Sequence, residues 1–159
     1  TSEPGEIPVD ELTAWFREQV PAAWFDGPVD VIADRDEILV VGRVADGVSP
    51  KAFRELTRPE RVAIARVAEA TYGRPVSWAV RQGDDLVRFT SLSVPVMTRL
   101  RVEERRVLDL LIEGGIARSR SEALAWCVRL VDANEGEWLD ELRAASARLA
   151  EIRGRGPAC

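Results

Sequence analysis

The residues best placed to do chemistry lie in GGIARSRSEAL, residues 114–124. Two glycines end one element and a serine opens the next, with Arg118, Ser119, Arg120 and Ser121 side by side at the junction. Free backbone N–H groups at a helix start attract an anion, and neighbouring guanidinium groups add to that attraction. The chemistry on offer is capture of a phosphate. A second cluster stands upstream in VPVMTRLRV, residues 94–102. Alternation along an extended chain puts Met97, Arg99 and Arg101 on one side and Val96, Thr98, Leu100 and Val102 on the other. An arginine can donate two hydrogen bonds to one guanine, so an outward row of Met, Arg and Arg is suited to reading base edges.

Each of these residues also has a plainer reading. Ser119 is fully explained as an N-cap, because Glu122 three positions later completes an S-x-x-E capping box. Arg118 and Arg120 fit solvated surface charges, and Arg99 and Arg101 could pair with Glu103 and Glu104. Taken together, in this order on a strand and a helix start, they favour DNA.

Composition limits the alternatives. The chain has 159 residues, 46% of them hydrophobic, and a net charge of −5. It can bury a core, and it is too acidic to coat nucleic acid indiscriminately. The acidity is local: residues 1–92 hold 11 basic and 16 acidic side chains, whereas residues 93–159 hold 11 of each. Histidine is absent, which removes the commonest general base, the Ser-His triads and most zinc sites. No glycine-rich phosphate motif stands after a strand. The expectation is therefore a protein that is not an enzyme, with no catalytic residue, no metal and no cofactor. Cys127, in the apolar run LAWCVRLV, reads as core, and Cys159 as an exposed terminal thiol. Two such cysteines make no disulfide framework, no apolar run is long enough for a membrane span, and no secretory signal is read at the start; cytoplasm is the expected compartment.

The elements that must position the clusters follow from periodicity. Val9, Leu12, Trp15, Phe16 and Gln19 form a helical stripe that begins after Pro8 and ends before Pro21. VDVIA and ILVVGRVA read as a hairpin around DRDE. Asp46-Gly47 and Ser49-Pro50 mark a loop, after which Thr57 is expected to cap a helix through TRPE that continues to Gly73. VSWAVRQ and DLVRFTSL form a second hairpin. The predicted fold is α+β: an α-β-β-α-β-β domain over residues 1–92, then a strand, two helices and a C-terminal helix over residues 93–159. Trp15, Phe16, Trp24, Phe25 and Trp78 are expected in the core of the first domain. Trp138, Leu142, Ala145, Leu149 and Ile152 make a heptad-like seam on the last helix, most simply read as core packing.

The strand VMTRLRV, the helix VEERRVLDLLIEGG and the turn IARSRSEAL resemble the ribbon-helix-helix family of Arc- and MetJ-like DNA-binding proteins over residues 94–133. The resemblance implies a dimer in which the strands of two copies pair as an antiparallel ribbon. It implies that Met97, Arg99 and Arg101 read bases in the major groove, although methionine departs from the usual polar residue. It implies that Arg118, Ser119, Arg120 and Ser121 clamp backbone phosphates, and that Val96, Thr98, Leu100 and Val102 form the dimer core. The expected partners are double-stranded DNA and a second copy, with pairing of dimers and a protein or small-molecule partner of residues 1–92 left open. The expected function is a dimeric, sequence-specific transcriptional regulator. An adaptor that uses the unit only for dimerisation, or an antitoxin, are the alternatives.

Overall fold

The computed structural model describes residues 7–90 and 92–157. It forms two compact units that divide between Pro95 and Val96, three residues beyond the boundary expected from sequence. The expected exposure of Cys159 and the reading of the extreme N-terminus lie outside the described residues.

The first unit carries helix α1 (Val9–Gln19), strands β1 (Asp30–Ala33) and β2 (Ile38–Arg43), helix α2 (Pro50–Tyr72), and strands β3 (Val76–Gln82) and β4 (Asp85–Arg88). This is the expected α-β-β-α-β-β order. The sheet runs β1-β2-β3-β4; the two hairpins are antiparallel, and β2 and β3 are parallel because α2 carries the chain back between them. Asp34 closes the first hairpin by accepting from the N–H groups of Asp36 and Glu37 at 2.8 and 2.9 Å. Gly83, with φ at 58°, turns the second between Gln82 and Asp85.

Leu12 and Phe16 of α1 are fully buried, as their spacing predicts. They meet Ile38, Val40, Val76, Trp78 and Val80 on one face of the sheet. The five expected aromatics join Phe53, Tyr72 and Phe89 in a mostly edge-to-face network with centroids 4.9–6.4 Å apart. Gly42 is required there: a Cβ at this position would lie 2.3 Å from the Phe25 ring.

Helix α2 departs from expectation at its start. It begins at Pro50, with Ser49 as the cap accepting from the Ala52 N–H at 3.3 Å. Proline at the first helical position needs no hydrogen bond there, so Ser49-Pro50 opens the helix instead of marking a loop. Thr57 is buried mid-helix and donates to the Phe53 carbonyl at 2.7 Å. It also accepts from Nε of Arg61, whose Nη2 donates to the Arg54 carbonyl at 2.8 Å. Arg61 is only 6% exposed, and its guanidinium lies over the Phe89 ring at 4.8 Å. Burial depresses its pKa, and Arg54 and Arg58 push it the same way. Val62, next to Arg61 in the helix, is exposed.

The second unit holds α3 (Val102–Glu113), α4 (Arg120–Asn134) and α5 (Gly136–Arg155). Gly115, with φ at 75°, ends α3, and Ile116 N–H donates back to the Leu111 carbonyl at 2.9 Å. A small core of Leu108, Ala117 and Ala123 holds α3 against α4, with Leu100 and Cys127 packed on it. Residues 94–101, expected as a strand, make no ladder. The second unit contains no other strand among the described residues to pair with it. Val102 is the first residue of α3 and not the end of a strand. No residue of α5 is buried, so its seam is not core packing within this unit. The helix runs on through Gly154 to Arg155. Among the described residues, no helix is long and apolar enough to cross a membrane, and no cluster of three or more potential ligands could hold a metal ion.

Candidate nucleic-acid interface

The turn between α3 and α4 is built as its sequence requires. Ser119 Oγ accepts from the Glu122 N–H at 3.1 Å, and the Glu122 carboxylate accepts from the Arg118 N–H at 2.8 Å. This is a capping box displaced by one residue, since the returning carboxylate takes the N–H before the cap. The N–H groups of Arg120 and Ser121 then have no acceptor among the described residues. They are the free donors that an outside anion could engage.

The two arginines of the turn differ. Arg118 is highly exposed, and its Nε lies 4.0 Å from Glu122. Arg120 donates two hydrogen bonds to Asp109 of α3, at 2.8 and 2.9 Å. That fork holds the start of α4 on α3. It also lowers the Asp109 pKa, chiefly through the hydrogen bond from Arg120, and raises that of Arg120 for the same reason. Arg120 is therefore held in a close fork by an acid of its own chain, whereas Arg118 reaches Glu122 only at 4.0 Å; all four residues of the turn, Arg118 to Ser121, are exposed.

The upstream cluster is the most exposed apolar stretch of the unit. Val96 is 84% and Met97 94% exposed, and Thr98, Arg99 and Arg101 are exposed too. Leu100 alone turns inward, onto the core between α3 and α4. Of the four residues expected as a dimer core, only Leu100 is covered within one chain. Neither Arg99 nor Arg101 forms an ion pair with Glu103 or Glu104; the Glu104 carboxylate instead accepts from the backbone N–H of Arg101 at 2.6 Å.

Helix α3 joins the two clusters. Arg105 donates to the Leu100 carbonyl and so fixes the end of the upstream segment. Asp109, one turn later, fixes the start of α4 through Arg120. Arg105 and Asp109 are positioning residues that the motif does not reveal. Their i,i+4 spacing in EERRVLDLL is the only sequence signal for them.

Comparison with known proteins divides the chain where the fold divides it. The model of the Rv1265-like protein N-terminal domain matches residues 10–88, and that of the Mb1296 C-terminal domain matches residues 101–153. The protein Mb1296 of Mycobacterium bovis is 46% identical over 155 residues, covering 90% of this chain and 69% of its own length. Rv1265 of Mycobacterium tuberculosis matches to the same extent. No solved structure matches the chain. With this identity over most of both lengths, and with the two domain models in the same order along the sequence, the chain belongs to the Rv1265-like family.

Proposed function

We propose that the protein is a dimeric, sequence-specific DNA-binding regulator. Residues 94–101 of two copies would pair as an antiparallel ribbon, placing Met97, Arg99 and Arg101 in the major groove. The observation that carries this reading is the unpaired, exposed segment held directly before α3. Over residues 94–99 its backbone groups have no partner among the described residues, its apolar side chains other than Leu100 lack cover, and Arg99 and Arg101 form no ion pair. A second copy supplies the first two, and DNA supplies acceptors for the arginines. The turn at Arg118, Ser119 and Ser121 then anchors phosphate, while Arg120 serves mainly to hold α4 in place. Phosphate contacts set register and base contacts choose sequence.

A second reading has its own support. An adaptor that uses this unit only to dimerise fits the net charge of −5, the methionine at position 97 and the neutralisation of Arg120 by Asp109.

Fluorescence anisotropy with DNA from upstream of the protein's own gene separates the two. The regulator binds that duplex over a shuffled one, with affinity falling steeply as salt rises. Arg99→Ala and Arg101→Ala each weaken binding by about 1–3 kcal/mol and leave the dimer intact. Val96→Asp, at a side chain 84% exposed in the single chain, abolishes both. If the arginine variants change nothing while Val96→Asp still removes the dimer, the adaptor reading stands.

A further inference from the structure

Helix α5 is twenty residues long and buries none of them. Trp138, Leu142, Leu149 and Ile152 are each 45–54% exposed, and Ala145 between them is exposed as well. They recur at spacings of 4, 3, 4 and 3, which is the spacing of a two-helix seam. The residues of α5 that are partly shielded, Gly136 and Leu139, lie off this seam. The charges beside it are informative. Asp140 and Arg143, away from the seam, already pair with each other. Glu141 and Arg148 flank the seam on one side, and neither has an ion pair among the described residues.

We infer that α5 pairs antiparallel with α5 of a second copy, Trp138 facing Leu149 and Leu142 facing Ala145. The charges select both direction and register. In a parallel pair, Arg148 of one helix would meet Arg153 of the other, and like charges repel across a seam. In the antiparallel pair, Glu141 meets Arg148 twice, by symmetry. Sliding the antiparallel pair by one heptad brings Arg148 onto Arg148 in one direction, or Glu141 onto Glu141 in the other. Only the stated register leaves no like charges facing. Two heptads are too short to hold strangers together in dilute solution. The pairing gains from the proposed ribbon, which raises the effective concentration of one α5 near the other. It rests on that reading only through this concentration.

Cross-linking tests the register directly. In a background of Cys127→Ala and Cys159→Ser, the protein carries Trp138→Cys, Leu149→Cys or both, and is treated with a short bis-maleimide. The double variant is expected to give a covalent dimer on a denaturing gel. Each single variant is expected to stay monomeric, because its two thiols lie about 16 Å apart along the helix axis. Cross-linking by Trp138→Cys alone would mean a parallel pair and overturn the proposal. Absence of cross-linking in all three also overturns it. Sedimentation of the untreated samples separates the two readings: a dimer that does not cross-link keeps the ribbon and rejects the α5 pair, and a monomer rejects both. The charge pair tests the proposal with the apolar seam intact. Glu141→Arg or Arg148→Glu weakens dimerisation several-fold, and the double variant restores it. A double variant no better than the singles overturns the stated register.

Discussion

At the scale of single residues, what matters is whether a neighbour fills the space or satisfies the charge. Gly42 is fixed by the Phe25 ring, which occupies the site of a Cβ. Gly42→Ala should cost about 1–3 kcal/mol through overpacking, read as a lower urea midpoint. Asp109 is held below the ordinary carboxylate range by its fork with Arg120. A depressed pKa contributes stability above the unfolded-state value, about 4, and loses it as pH falls through the folded value. Asp109→Asn should therefore be less stable than the parent at pH 7, with the gap closing in strong acid. Equal gaps at both pH values, measured by chemical denaturation, would mean that the charge of Asp109 is not what matters. Sequence showed the charges of Arg120 and Asp109 but not that they meet, because eleven residues and a turn separate them.

At the scale of elements, local signals and packing sometimes compete. The ends of α1 and the cap of α4 were legible, since proline and Ser-x-x-Glu act on the backbone beside them. The start of α2 was misread for the same reason: TRPE has the form of a cap, and Ser49-Pro50 the form of a loop. The core decides in favour of the longer helix, because starting at Pro50 brings Phe53 onto the aromatic cluster and buries Thr57 and Arg61. Ser49→Ala should then destabilise the protein by about 1 kcal/mol, the usual cost of a lost cap. Unchanged thermal stability would show that α2 gains nothing from it. The segment before α3 fails in the opposite way. Its alternation is plain in the sequence, yet a strand needs a second strand beside it, and this segment has no ladder partner among the described residues.

At the scale of the whole molecule, the two units differ in how much apolar surface each closes off. The first has a closed core and an acidic surface balance; the second has a three-residue buried core and long apolar faces on every helix. The dimer proposed above would cover part of that apolar surface. Limited proteolysis should cut the free protein within residues 92–101, and operator DNA should protect that segment. Cleavage at the same rate with and without DNA would count against its lying in the groove. The sequence alone determined the order of elements in the first unit and of the three helices in the second, the aromatic core and the cap of α4, because these depend on neighbours within a turn or on alternation along a strand. The tertiary structure alone decided that Arg105 and Asp109 hold the clusters in place, that Arg120 is satisfied by an acid, and that the α5 seam is bare. Those outcomes depend on which surfaces meet across distant stretches of chain, and periodicity carries no record of partners.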